Sequence, residues 1–149
     1  MTNKQILVLN EVVRICKAIS GINFAGLYPE AIWNTGQRFP AVIVRDGDED
    51  APNYNVGQEV IYDYAVDVIL HVELIPGTTR IANVLDLENK IITAVITDLS
   101  LGGLAHNITG HRVSKGDNQD VLLDTSSGYQ GEITARVITF NMQIKDTRS

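Results

Sequence analysis

A single cysteine, Cys16, stands in the 149-residue chain. An internal disulfide is therefore excluded, and so is a metal cluster built on several thiolates. Positive charge is also scarce. Twelve Lys and Arg stand against 18 Asp and Glu, a formal net charge of −6. That balance lacks the basic footprint of a protein that grips nucleic acid, although DNA could slide past such a surface without adhering. Long apolar runs are missing too, and none approaches the length of a membrane span. From Lys4 onward apolar and polar residues alternate, unlike a signal-peptide core. The expectation is a protein made and kept in a cytoplasm, unless it leaves as part of an assembly.

The residues present suffice for one domain over 1–149. Hydrophobic residues make up 44% of the chain, and folding at this length buries roughly two-thirds of the unfolded surface. No repeat, low-complexity tract or linker divides it.

Thr2 and Asn3 are good caps for a helix from about Lys4 to Ser20, which Gly21 can stop. Ile6, Val8, Leu9, Val12, Val13, Ile15, Cys16 and Ile19 fall on one side of its wheel. That face is wider than a usual stripe and predicts contact with a sheet and with something else. Ile22 to Pro29 reads as a connector or short strand. "FPAVIVRD" (Phe39 to Asp46) reads as a buried strand followed by an acidic loop. From Glu59 to Ile75 the alternation is long and clean. Val60, Tyr62, Tyr64, Val66, Val68, Leu70, Val72 and Leu74 share one face of this strand. It is longer than a typical strand, which predicts a bend or a projecting arm.

"PGTT" (Pro76 to Thr79) turns the chain, with a threonine expected to cap a second helix from about Arg80 to Asp98. Ile81, Val84, Leu85, Ile91, Ile92, Val95 and Leu99 form its stripe, and "LGG" (Leu101 to Gly103) ends it. A strand follows near Ile108 to Lys115, then a long polar loop from Gly116 to Gly131. In the last strand, Glu132 to Ile144, the apolar parity switches after Val137, which calls for a bulge or a second packing surface. The order predicts an α+β fold, a mainly antiparallel twisted sheet with two helices packed on one face.

The acidic segment holds Asp46, Asp48, Glu49 and Asp50. Its D-x-D-x-D opening matches the start of a calcium loop, but the sixth position is Ala51 rather than Gly and the twelfth is Gly57 rather than Glu. A solvated loop is the expected reading, with no metal site. Glu88 lies inside the apolar stripe of the second helix. A buried carboxylate must be neutralised or paired, so Arg136, His71, a backbone amide or a neighbouring subunit is its expected partner. His71, His106 and His111 do not form a ligand set. No serine has a G-x-S-x-G setting, and "LGGLA" lacks the features of a phosphate loop. No catalytic residue and no cofactor are expected. Apolar surface beyond what one core uses points instead to a partner.

"FPAVIVRDGDED", the strand "VIYDYAVDVILHVEL", the helix and exit "LENKIITAVITDLSLGGLAHNI", and the final "GEITARVITFNMQI" together resemble the tail terminator proteins of long-tailed bacteriophages. The similarity runs from about Phe39 onward, and its most distinctive part is "DLSLGGLA" (Asp98 to Ala105). The resemblance implies a small structural subunit, not an enzyme, that forms a homo-oligomeric, hexameric ring. The ring would cap the finished tail tube, contact the tail tube protein and a head-completion or neck protein, and sit at the head-proximal end of the virion tail. DNA would pass without specific binding, and the acidic segment would lie on the lumen or the rim. A head-closure, neck or tube-like virion protein is the nearest alternative. A metal-dependent enzyme using Asp46, Asp48 and Asp50 is an alternative of another class, as is a small cytoplasmic binding domain with a pocket at Glu88.

Overall fold

The computed structural model describes residues 4–29, 38–50, 58–98, 107–115 and 132–148. In chain order the elements are α1 (Lys4–Lys17), β1 (Phe24–Leu27), β2 (Ala41–Asp50), β3 (Gln58–Leu74), α2 (Ile81–Thr97), β4 (Asn107–Lys115) and β5 (Glu132–Arg148). The strands form one sheet in the order β1-β2-β3-β5-β4. Only the β1–β2 pair is parallel. The fold is α+β, with both helices on one face.

The sheet is built on β3 and β5, each 17 residues long. They pair antiparallel without a register shift from Gln58↔Arg148 to Leu74↔Glu132. Alternation in sequence therefore becomes alternation between faces. Tyr62, Tyr64, Val66, Val68, Leu70 and Val72 of β3 join Ile138, Phe140, Met142 and Ile144 of β5 on the face the helices cover. Each fully buried aliphatic or aromatic side chain of this kind contributes roughly 1.5–3 kcal/mol. The opposite face carries a smaller cluster of Ile69, Ala135 and Val137. This second surface is what the parity switch in the last strand reflects. The alternative of a bulge in β5 is not what occurs opposite β3.

Helix α1 buries Val8, Leu9, Val12, Val13, Ile15 and Cys16. Its wide face meets β1, β2 and α2 at once, which is why one stripe would not have sufficed. Ile6, expected in that face, is instead 45% exposed. The helix closes through Ala18 N–H donating to the carbonyls of Arg14 and Ile15, and Gly21 takes the left-handed φ of +98° beyond it.

Helix α2 buries Val84, Glu88, Ile91 and Val95, a clean 4-3-4 spacing. Ile81 and Leu85, expected in the same stripe, are 62% and 40% exposed. The threonine cap is also not made. Arg80 occupies the N-cap position without a side-chain hydrogen bond. Thr79 Oγ1 instead accepts from Ile75 N–H at 2.8 Å and donates to the Glu73 carbonyl at 2.8 Å. Its hydroxyl closes the turn leaving β3, where orphaned backbone groups are nearer than those of the helix.

The acidic segment is strand, not loop. β2 continues through Asp50, with a register shift between Asp46↔Val66 and Glu49↔Tyr64. Two residues of β2, Gly47 and Asp48, thus oppose Ala65 alone, which is a β-bulge. Glycine is required there by close approach, because a Cβ on Gly47 would stand 2.5 Å from the Ala65 carbonyl oxygen. Pairing with β3 satisfies the backbone, which outweighs the poor strand propensity of Asp. The expected turn at Leu101 to Gly103 and the polar stretch from Gly116 to Gly131 lie outside the described residues. Gly47→Ala is expected to push β2 off β3 at the bulge and to lower stability by about 1–3 kcal/mol, read from the midpoint of denaturant unfolding.

Candidate functional site

Three groups of side chains bear on function. The first is the acidic end of β2. Asp46 is exposed and accepts a hydrogen bond from the Tyr64 hydroxyl. Beyond the bulge the backbone register sets Glu49 across from Tyr64 and Asp50 across from Asp63. Among the described residues no three His, Cys, Asp or Glu converge in a manner that could hold a metal ion.

The second is Glu88. It lies at the centre of the α2 stripe, 8% exposed, and faces Arg136. Arg136 pairs with Leu70 across β5–β3 and so stands on the helix-covered face. Glu88 Oε1 is 3.9 Å from Arg136 Nη1, and the two side chains are only 11% and 13% exposed. Glu88 Oε1 takes no hydrogen bond among the described residues. Of the partners expected from sequence, Arg136 is therefore the one the fold supplies. His71 is excluded because it sits opposite Ala135 on the other face of the sheet, where it is fully buried. His111 is exposed, its ring 6.4 Å from that of Phe140. His106 lies outside the described residues.

The third group was not visible in the sequence. On the sheet face away from the helices, Arg45, Asp67, Thr139 and Arg112 lie in one row directly across β2, β3, β5 and β4. Arg45 donates to Asp67 Oδ2 through Nε at 3.2 Å and Nη2 at 2.8 Å. Thr139 Oγ1 donates to Asp67 Oδ1 at 2.8 Å. Arg112 has no ion-pair partner among the described residues. A groove of about 470 Å³ runs along this row, bounded also by Asp46, Gly47, Ala65, Ser114 and Val137. No local pattern announces such a row, since its members come from four strands and only register aligns them.

Cys16 is fully buried, and loss of solvation pushes its thiol up to about 12. The thiolate is the reactive form, so this cysteine is a core residue rather than a nucleophile. Among the described residues no helix is long and apolar enough to cross a membrane. Compared with known proteins, the chain matches no family model and none of the curated proteins searched.

The Glu88–Arg136 pair makes a specific prediction. Arg136→Met leaves a buried carboxylate uncompensated and is expected to cost about 3 kcal/mol. Replacing both, as Glu88→Leu with Arg136→Met, is expected to recover most of that loss, read by urea unfolding of the single and double variants. A second follows from Cys16. Its folded pKa lies above the unfolded value, so the unfolded state sheds the proton first as pH rises. Stability is expected to fall between about pH 9 and 12, and less steeply in Cys16→Val, read by unfolding across that range.

Proposed function

We propose that the chain is a structural subunit that assembles with copies of itself into a ring, in the manner of the phage tail terminators it resembles. The observation that carries this reading is the arm formed by β3 and β5. The pairings of β2 and β4 end at Asp50↔Asp63 and Asn107↔Gln143. Beyond them Gln58–Tyr62 and Ile144–Arg148 continue as a ribbon of two strands only, among the described residues. A two-stranded ribbon is marginal alone in water. One side of it is held, with Tyr62 and Ile144 buried in the core and Lys4 Nζ donating to the Lys145 carbonyl. On the other side Ile61 is exposed, which favours contact with a neighbour.

A second apolar surface supports the same reading. Leu74, Ile75, Ile81 and Leu85 are all exposed where β3 ends and α2 begins. Such a patch is characteristic of interaction surfaces. In this reading the ring would cap a tail tube and meet a neck or head-completion protein at the head-proximal end of the virion. The net charge of −6 would let DNA pass without adhering.

Light scattering with negative-stain imaging, run in calcium and in EDTA, tests the reading. Discrete rings with a central hole, indifferent to EDTA, are the expected result. Open-ended filaments would favour a tube-like subunit, and a mass that follows calcium would return Asp46, Asp48 and Asp50 to the metal reading. Ile81→Asp combined with Leu85→Asp is expected to leave monomer stability within about 0.5 kcal/mol per site and to abolish the rings.

A further inference from the structure

The row on the sheet face opposite the helices has no part in the ring reading, and its chemistry is specific. Across it run two guanidiniums and one carboxylate. The carboxylate is fully engaged, with Oδ2 held by Arg45 and Oδ1 by Thr139. Arg45 uses two of its five N–H donors on Asp67, which fixes its plane and leaves the others to point elsewhere. Arg112 is exposed and unpaired among the described residues. Asp46 also borders the groove, but its carboxylate accepts from the Tyr64 hydroxyl. Along the row itself two guanidiniums stand against one carboxylate, on a chain whose net charge is −6.

The space is also shaped. Toward the β3–β5 arm the neighbouring positions on the same face are Gly47, Ala65, Asn141 and Gly110, three of them small and the fourth an amide that can itself donate to an anion. On the other side lie Ile43, Ile69 and Val137, all buried. Ser114 stands two residues from Arg112 on β4 and adds a hydroxyl to the same groove. The backbones of Arg45 and Arg112 are three strand spacings apart, about 14 Å, a gap that two arginine side chains can span with a small anion between them. A volume near 470 Å³ falls in the range of small-ligand sites.

We propose that the row Arg45–Asp67–Thr139–Arg112, together with Ser114, is an oxyanion-binding groove for a small ligand bearing one phosphate or carboxylate group. Guanidinium presents paired, planar donors that match either oxyanion. Asp67 and Thr139 act as positioning residues that hold Arg45 in place. The groove takes a single anionic group rather than a polyanion, because the rest of the chain repels extended negative charge.

The test is a titration of the full chain followed by amide and arginine Nε–Hε resonances in ¹H–¹⁵N spectra. Inorganic phosphate and acetate serve as separate probes, at ionic strength held constant with chloride. Saturable shifts at millimolar concentration, centred on Arg45, Arg112 and Ser114, are expected with at least one probe. Saturation with phosphate alone assigns a phosphoryl group, and with acetate alone a carboxylate. Arg112→Gln is expected to weaken binding about tenfold, or about 1.4 kcal/mol, with spectral dispersion intact. Lys90→Gln, on the exposed side of α2, is expected to change nothing. Shifts that never saturate, that spread evenly over the surface, or that persist unchanged in Arg112→Gln would overturn the proposal.

Discussion

The architecture depends on one constraint, the unbroken pairing of β3 with β5. Seventeen residues of each strand run in register. With a period of two, that register decides which side of the sheet every side chain occupies. A slip of one residue would carry Phe140, Met142 and Ile144 out of the core and bring Thr139, Asn141 and Gln143 into it. Irregularity is confined to the flanking strands. The bulge of β2 falls at Gly47 and Asp48, and the shift of β4 falls between Ile108 and Gly110. The centre stays regular while the periphery absorbs the extra residues.

The buried ion pair is a consequence of that register. Arg136 has the same parity as Ile138 and Phe140, so the ladder forces a guanidinium toward the helix-covered face. Its charge needs a counterion there, and Glu88 at the centre of the α2 stripe supplies it. A rotation of α2 by one position would present Leu87 or Asn89 to Arg136 and leave the cation without its carboxylate. The pair therefore ties the orientation of α2 to the register of β5, coupling two elements that otherwise meet through apolar side chains.

Much of this was legible in the sequence. The alternation from Glu59 to Ile75 fixed the inner face of β3, because period two survives any tertiary context in which one side is buried. The 3.6-residue period gave both helices, and the misfit of Glu88 in an apolar stripe pointed to a need for a partner; Arg136 stands 3.9 Å from it. Three features were misread for physical reasons. Asp-rich composition signalled a loop, but strand pairing and a bulge at Gly47 outweighed local propensity. A threonine of the Pro76 to Thr79 turn was expected to cap the helix, but the Thr79 hydroxyl closes the preceding turn, where a donor and an acceptor are both within reach. The Arg45–Arg112 row left no trace, since its order exists only once four strands are aligned.

The same long strand bears on how copies could meet. Ile61 is exposed near one end of β3, and Leu74 is exposed at the other. At about 3.3 Å per residue these points lie about 43 Å apart along the strand. They differ in kind as well, one belonging to a two-stranded ribbon and the other to a turn and a helix start. Contacts between two copies that used a single patch twice would leave the other end uncovered. A head-to-tail contact, in which one end of each copy meets the opposite end of the next, covers both. Such contacts close into a ring when the rotation between neighbours divides the circle, and run on as a filament when it does not.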